Sequence, residues 1–229
     1  MHQFDIFLYV CNFLKDTDKI RLTAISNTTD YFKHKLLFTD LIAEDKIYNL
    51  PFYDNFENVK VDCRCSHVPK NIKKLHVECL LECMYDSVPI QLNEFAITHL
   101  TWDQNSMYMT MAPECFIFRY IKLPNTITHL ILSDLFDQDI KHMPESVTHL
   151  KLGFSFSRPI ECIPRRVTHL ELGYLFYQSI SNCISSSITH LTWDHVFDNL
   201  NIISSTSVIY IRKNSDDQYV RIDECVQSS

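Results

Sequence analysis

Between Ile97 and Trp193 one hexapeptide is written five times with little change: ITHLTW from 97, ITHLIL from 127, VTHLKL from 147, VTHLEL from 167 and ITHLTW from 188. No other feature limits the fold so tightly. The shared leucines are Leu100, Leu130, Leu150, Leu170 and Leu191, and the last three steps between them are 20, 20 and 21 residues. A fixed period of that size belongs to stacked coils, each burying its apolar face only against its neighbours. The chain is therefore expected to be a solenoid, which yields a long binding surface more readily than an enclosed pocket.

Other positions keep phase with the leucines. Six residues earlier stands Pro124, Pro144 or Pro164; six later stands Phe136, Phe156, Phe176 or Phe197; ten later come Ile140, Ile160 and Ile180, with Ile202 one position late. These are core positions. A strand alternates its side chains, so if Leu130 and Leu132 point into the coil, His129 and Ile131 point out. A coil of about 20 residues lies at the short end of the leucine-rich-repeat range, each giving one strand of a curved parallel sheet. The only two glycines, Gly153 and Gly173, each follow the second core leucine. A tight turn using the positive φ that glycine permits is expected there.

Weaker copies extend the array. Pro69, Ile72 and Leu75 are in register without the Thr-His pair, and Phe56, Val59 and Val61 repeat the spacing further upstream. Downstream, Val208 and Ile211 sit about one period after Leu191, and Tyr219, Val220 and Ile222 can pair back across a turn at Asn214 to Asp217 as a C-terminal cap. One coil is longer, with 30 residues from Leu100 to Leu130. Its extra stretch carries Met107, Tyr108, Met109, Met111 and Phe116, side chains favoured at interfaces, so a partner-binding loop is one reading and packing on its own scaffold the other.

The repeated histidines, His99, His129, His149, His169 and His190, should stack in register on the outer, concave face, about 4.8 Å apart. A zinc site needs ligands converging on a point, whereas a ladder sets rings along a line. Each ring is expected to be neutral, with Thr128, Thr148, Thr168 and Thr189 available for local hydrogen bonds. Charging one ring disfavours charging the next. The next outward positions, Thr101, Ile131, Lys151, Glu171 and Thr192, differ from coil to coil. Variable residues on a regular frame suit a partner-binding face.

The nine cysteines are odd in number and lack a disulfide framework, which points to reduced thiols and an intracellular chain in the cytoplasm or a host cell's cytoplasm. Cys63, Cys65, His67, Cys79 and Cys83 cluster without the usual zinc-knuckle spacing. The first residues lack the pattern of a signal peptide, and no apolar run approaches the roughly 20 residues of a membrane span. A net charge of −7 without a basic run argues against general nucleic-acid binding. No Gly-x-Ser-x-Gly motif is present, and two glycines leave little material for phosphate-cradling loops. The expectation is a protein that is not an enzyme, has no cofactor or metal, and is monomeric apart from its complexes.

The first 45 residues follow a helical period. Ile6, Phe7, Val10, Phe13 and Leu14 predict a helix over Phe4 to Leu14. Asp16 or Thr17 can cap a second helix carrying Ile20, Leu22, Ala24 and Ile25, and Asn27 to Thr29 signals a turn. A third helical stretch would carry Tyr31, Phe32, Leu36, Leu37, Leu41 and Ile42. A unit this small has marginal core burial and should pack on the first coils or on a partner.

The run DIFLYVCNFLKDTDKIRLTAISNTTDYF resembles an F-box, the three-helix module that docks on the Skp adaptor of cullin-RING ubiquitin ligases. Phe4 and Asp5 replace the common Leu-Pro start, and Tyr31 and Phe32 stand near the position of the usual tryptophan. The repeats resemble FNIP repeats, a leucine-rich-repeat relative of amoebae and their giant viruses, through Pro, Ile-Thr-His-Leu, Leu-Gly and the segments FDQDI, FSRPI, FYQSI and FDNLNI. No copy reads Phe-Asn-x-Pro in full.

The resemblance implies an α+β, mostly β chain: an F-box-like module over 1–45, a linker or irregular coil over 46–68, a FNIP solenoid over 69–211 and a cap over 212–229. It also implies a substrate receptor of a ubiquitin ligase, with Ile6, Phe7, Val10, Leu14, Ile20 and Leu22 divided between the module's core and the Skp-type adaptor. The repeats would hold an unknown target protein. The alternative is a scaffold that sequesters a protein without degradation, its helices serving only as a cap.

Overall fold

The computed structural model describes residues 3–62, 65–79, 91–104, 123–160, 163–178, 187–193, 209–213 and 219–222. Two helices, α1 (Gln3–Cys11) and α2 (Asp16–Thr23), and the single turn α3 (Asn27–Asp30) precede one sheet. Its strands are β1 (Ile42–Ala43), β2 (Asn58–Asp62), β3 (Lys74–Cys79), β4 (His99–Gln104), β5 (His129–Leu132), β6 (His149–Lys151), β7 (His169–Leu172), β8 (His190–Trp193), β9 (Ile209–Lys213) and β10 (Tyr219–Ile222). They lie in chain order and pair in parallel through β9, and β10 turns back antiparallel on β9. This is a leucine-rich-repeat-like solenoid.

The register follows the repeat. Leu75, Leu100, Leu130, Leu150, Leu170 and Leu191 form one continuous column. The coils of β3, β5, β6 and β7 open on a turn in which the proline carbonyl accepts from the amide three residues on, as in Ile127 N to Pro124 O (3.2 Å) and Val167 N to Pro164 O (3.0 Å). Between turn and strand, the hydroxyls of Thr126, Ser146 and Ser187 donate to Ile97, Ile127 and Val167 of the preceding coil. Inside, Phe136, Phe156 and Phe176 stack at 6.2 and 6.0 Å, and Leu130, Leu150, Ile140 and Ile160 are buried around them. Each such leucine contributes roughly 1.5–3 kcal/mol on burial.

The glycines act through space rather than through φ. Neither Gly153 nor Gly173 has a positive φ; a Cβ on Gly153 would lie 1.8 Å from Ser133 O, and one on Gly173 would lie 2.0 Å from Gly153 O. They let successive coils approach backbone to backbone.

The upstream end differs from expectation in several places. Helix α2 starts at Asp16, after Lys15, which makes no side-chain cap bond; the Asp16 carboxylate is turned instead onto Asp40. Asn27 to Thr29 is the start of α3, held by a reciprocal capping box between Ser26 and Thr29. The third helical stretch ends early, because a 3-10 turn over Tyr31–Lys35 gives way to extended chain at Leu36. From there Phe38 bridges Phe56, with the two rings stacked at 4.7 Å, and Ile42 pairs with Val59. The sheet thus begins earlier than the repeat motif reveals. At the other end Tyr210, not Ile211, aligns with Leu191, because that coil is one residue shorter than the 20-residue step.

Candidate functional site

Two surfaces carry side chains whose positions packing alone does not explain. The first is the outer face of the sheet. Its first column runs Asn58, Lys74, His99, His129, His149, His169 and His190, and its second runs Lys60, His76, Thr101, Ile131, Lys151, Glu171 and Thr192. All of these except Lys60 line a groove of about 570 Å³. All ten residues expected on a partner-binding face from the repeat phase lie here. Two more, Lys74 and His76, come from the coil that lacks the Thr-His pair; their signal was their place beside Leu75.

The five imidazoles stack with centroids 4.0 to 4.1 Å apart and planes within 14° of parallel. That is closer than the usual strand spacing of about 4.8 Å. Each ring is held from behind. Nδ1 of His99, His129, His149, His169 and His190 lies 2.9 Å from the hydroxyl of the preceding threonine. That hydroxyl also lies 3.1 to 3.2 Å from a carbonyl of the preceding coil. The same carbonyl already accepts two amides at 2.8 to 3.1 Å, for instance Thr148 N and His149 N on Thr128 O.

A carbonyl has two lone pairs, so the shorter contact takes the hydroxyl proton. With the hydroxyl proton assigned to that shorter contact, threonine donates to Nδ1 and the ring proton falls on Nε2. Burial holds His99, His129, His149 and His169 below the ordinary imidazole value, and neighbouring positive charge, from Lys74 at His99 and from adjacent rings elsewhere, acts in the same direction. These four rings are held towards the neutral form near pH 7. Parallel rings do not converge their nitrogens, and among the described residues no group of three metal-ligating side chains could hold an ion. Of the clustered cysteines, Cys65 donates to His67 O at 2.9 Å and burial raises its thiol; Cys63, Cys83 and the Cys79 side chain lie outside the described residues.

The second surface is apolar and lies on the helices. Ile6, Tyr9, Val10 and Phe13 recur at helical spacing and are exposed, Tyr9 at 62% and Phe13 at 74%, with their rings 5.2 Å apart. Ile20 and Ile25 on and after α2 are exposed as well. Phe7 and Leu22, by contrast, pack against the solenoid core, and Leu14 is half-buried. The six residues expected to divide between core and adaptor therefore fall as Phe7, Leu14 and Leu22 inward and Ile6, Val10 and Ile20 outward. Tyr9, Phe13 and Ile25 are further exposed apolar residues of this segment. Ile6, Tyr9 and Val10 of α1 share one face, and Phe13, just past its end, continues the same spacing.

A buried clamp fixes the module to the first coil. Asp16 and Asp40 each accept the other's backbone amide (2.7 and 3.0 Å), Lys19 Nζ pairs with Asp16 Oδ1 at 2.7 Å, and the same ammonium donates to Leu37 O at 2.8 Å. The expected partner loop, Met107, Tyr108, Met109, Met111 and Phe116, lies outside the described residues. Among those described, no helix is long and apolar enough to cross a membrane.

Residues 121–155 and 139–175 match the FNIP Repeat family. Over 134 residues the chain is 24% identical to the Acanthamoeba polyphaga mimivirus protein named "Putative F-box protein L165", covering 58% of this chain and 48% of that one. It is 34% identical over 71 residues to "Putative F-box protein R638" of the same virus, covering 30% and 53%. The chain thus spans about half the length of the curated relatives it matches. A solved circular leucine-rich-repeat protein, CroV588, overlaps 69% of this chain and 23% of its own at 22% identity and a TM-score of 0.47.

Proposed function

We propose that this FNIP-repeat protein is a two-ended receptor: the exposed stripe of α1, extended by Ile20 and Ile25, docks a Skp-type adaptor of a cullin-RING ubiquitin ligase, and the histidine-lined face of the solenoid holds the protein to be modified. The observation that carries the reading is the stripe itself. Six large apolar side chains stand in water on a module of about 45 residues while Phe7, Cys11 and Leu22 already seal it to the core. Contiguous exposed apolar patches of this kind mark protein interfaces. The similarity to two viral proteins named as F-box proteins agrees with the adaptor as occupant. The cluster of buried Asp16 and Lys19 with Asp40 ties α2 to the chain that leads into β1, which suits a receptor that presents its target to a ligase.

The competing reading is a non-degradative scaffold whose helices only cap the solenoid. Inward packing of Phe7, Leu8 and Leu22 suits a cap, but a cap gives no use to Tyr9 and Phe13. Because the sheet starts at Ile42 and Phe38 is buried, removing the N-terminal residues would damage the fold, so the test uses the full chain. Co-expression with the adaptor should recover a complex with the unaltered chain and with Ile131→Trp, and lose it with Tyr9→Ser/Phe13→Ser. Recovery that survives Tyr9→Ser/Phe13→Ser, or absence of complex with the folded unaltered chain, would leave the scaffold reading.

A further inference from the structure

We propose that the histidine column is a donor ladder for an acidic peptide segment, which it grips more tightly as its rings take up protons. This deepens the reading of the outer face as the target-binding surface and rests on it. The geometry comes first. Nδ1 of every ring is engaged by its threonine, which leaves Nε2 as the free ring nitrogen, and the assignment of the hydroxyl proton to Nδ1 puts the ring proton there. Five N–H donors then stand in a line at intervals of about 4 Å. Such a row can only be answered by acceptors. Carboxylates are the strongest acceptors a protein segment offers, and bonds to an ionised partner are about twice as strong as neutral ones.

Charge complementarity points the same way. Lys74 heads the column and has no carboxylate partner among the described residues. The groove lining holds two lysines against one glutamate, in a chain whose net charge is −7. Exposed Ile131 at mid-groove offers apolar contact to the stems of glutamate side chains.

Proton linkage follows from the stacking. Alone, the rings resist charging because each has neighbours about 4 Å away. A carboxylate laid against Nε2 favours the imidazolium. The other charged groups on this face leave that response in place: Lys60 of β2 is paired with Glu78 of β3 at 2.8 Å, and Lys151 of β6 with Glu171 of β7 at 2.6 Å. Asp103 of β4 lies two positions beyond Thr101, away from the column, while Lys74 of β3 adds positive potential and burial, with Lys60 and Lys74 nearby, holds His76 below the ordinary imidazole value. β5 and β8 contribute the uncharged Ile131 and Thr192.

The test measures anisotropy of a fluorescent dodecaglutamate peptide on the full chain at pH 7.5 and 6.0, with oligoglutamine and oligolysine peptides as controls. The glutamate peptide should bind about tenfold tighter at pH 6.0, which corresponds to a mean uptake of about two-thirds of a proton over that interval. In His129→Gln/His149→Gln an amide donor remains but cannot titrate, so binding at pH 7.5 should persist and the gain at pH 6.0 should vanish. Lys74→Ala, an exposed change that leaves folding intact, should weaken binding at both values. Equal affinity for oligoglutamine at both pH values, lost on Ile131→Trp, would overturn the acidic class while keeping this face as the docking surface. Glutamate binding indifferent to both the histidine changes and Ile131→Trp would lie elsewhere and overturn both readings. No binding of any peptide by the folded chain would also overturn the proposal.

Discussion

The coils between His129 and Trp193 and the helices before Asp40 use large apolar residues in opposite ways. In the coils each repeated Leu, Phe and Ile that the structure describes is buried, and the outer face is given to polar and variable side chains. On α1 half the apolar residues face water in a stripe. A stacked array has a neighbour for every coil, so its periodic residues are consumed by folding. A terminal module has a neighbour on one side only, and what it leaves exposed is available for a partner.

The comparison breaks most severely where coils touch backbone to backbone. Gly153→Val should prevent native stacking, since even a Cβ there lies 1.8 Å from Ser133 O; circular dichroism should show loss of the cooperative transition. Lys19→Ala should cost about 3–5 kcal/mol by leaving Asp16 buried without its cation, measured by chemical denaturation. Leu150→Ala, in the middle of the leucine column, should cost about 2–5 kcal/mol in the same measurement.

Acid should loosen the coils more than the helices. In the folded chain His99, His129, His149 and His169 titrate below the ordinary imidazole value of 6.5, so between the two values the unfolded chain binds more protons. The ladder's contribution is complete above about pH 6.5 and is lost as pH falls through that value towards the folded one. Thermal midpoints measured from pH 8 to 5 should fall on the acid side, and His129→Gln/His149→Gln should flatten the fall. At the smallest end, Tyr9→Ser/Phe13→Ser should change stability by less than about 0.5 kcal/mol while abolishing adaptor binding. A large loss of stability there would mean the stripe is core after all.

Nitrogen chemical shifts sharpen the account of the ladder. Five rings carrying the proton on Nε2 should show Nδ1 as the unprotonated nitrogen near pH 7.5. The reverse pattern would require threonine to donate to the backbone and would remove the donor ladder.

The repeat made the parallel sheet, the leucine column and the histidine stack readable from residues alone, because the same side chain recurs at the same phase of each coil. Where that recurrence fades, so did the reading. β1 has two residues and no motif, and the extended chain at Leu36 to Phe38 carries apolar residues that fit a helix equally well until Phe56 claims Phe38. The downstream coil is one residue short, which shifted Ile211 out of the leucine column.

By itself the sequence determined the period, the order of strands and which face of each strand is polar, since these depend on side-chain alternation along the chain. Tertiary structure decided the rest: that glycine serves close approach rather than φ, that Phe7 and Leu22 turn inward while Tyr9 and Phe13 do not, and that Asp16 clamps Asp40 instead of capping its helix. Each depends on atoms that are distant along the chain but adjacent in space, and no local pattern encodes that adjacency.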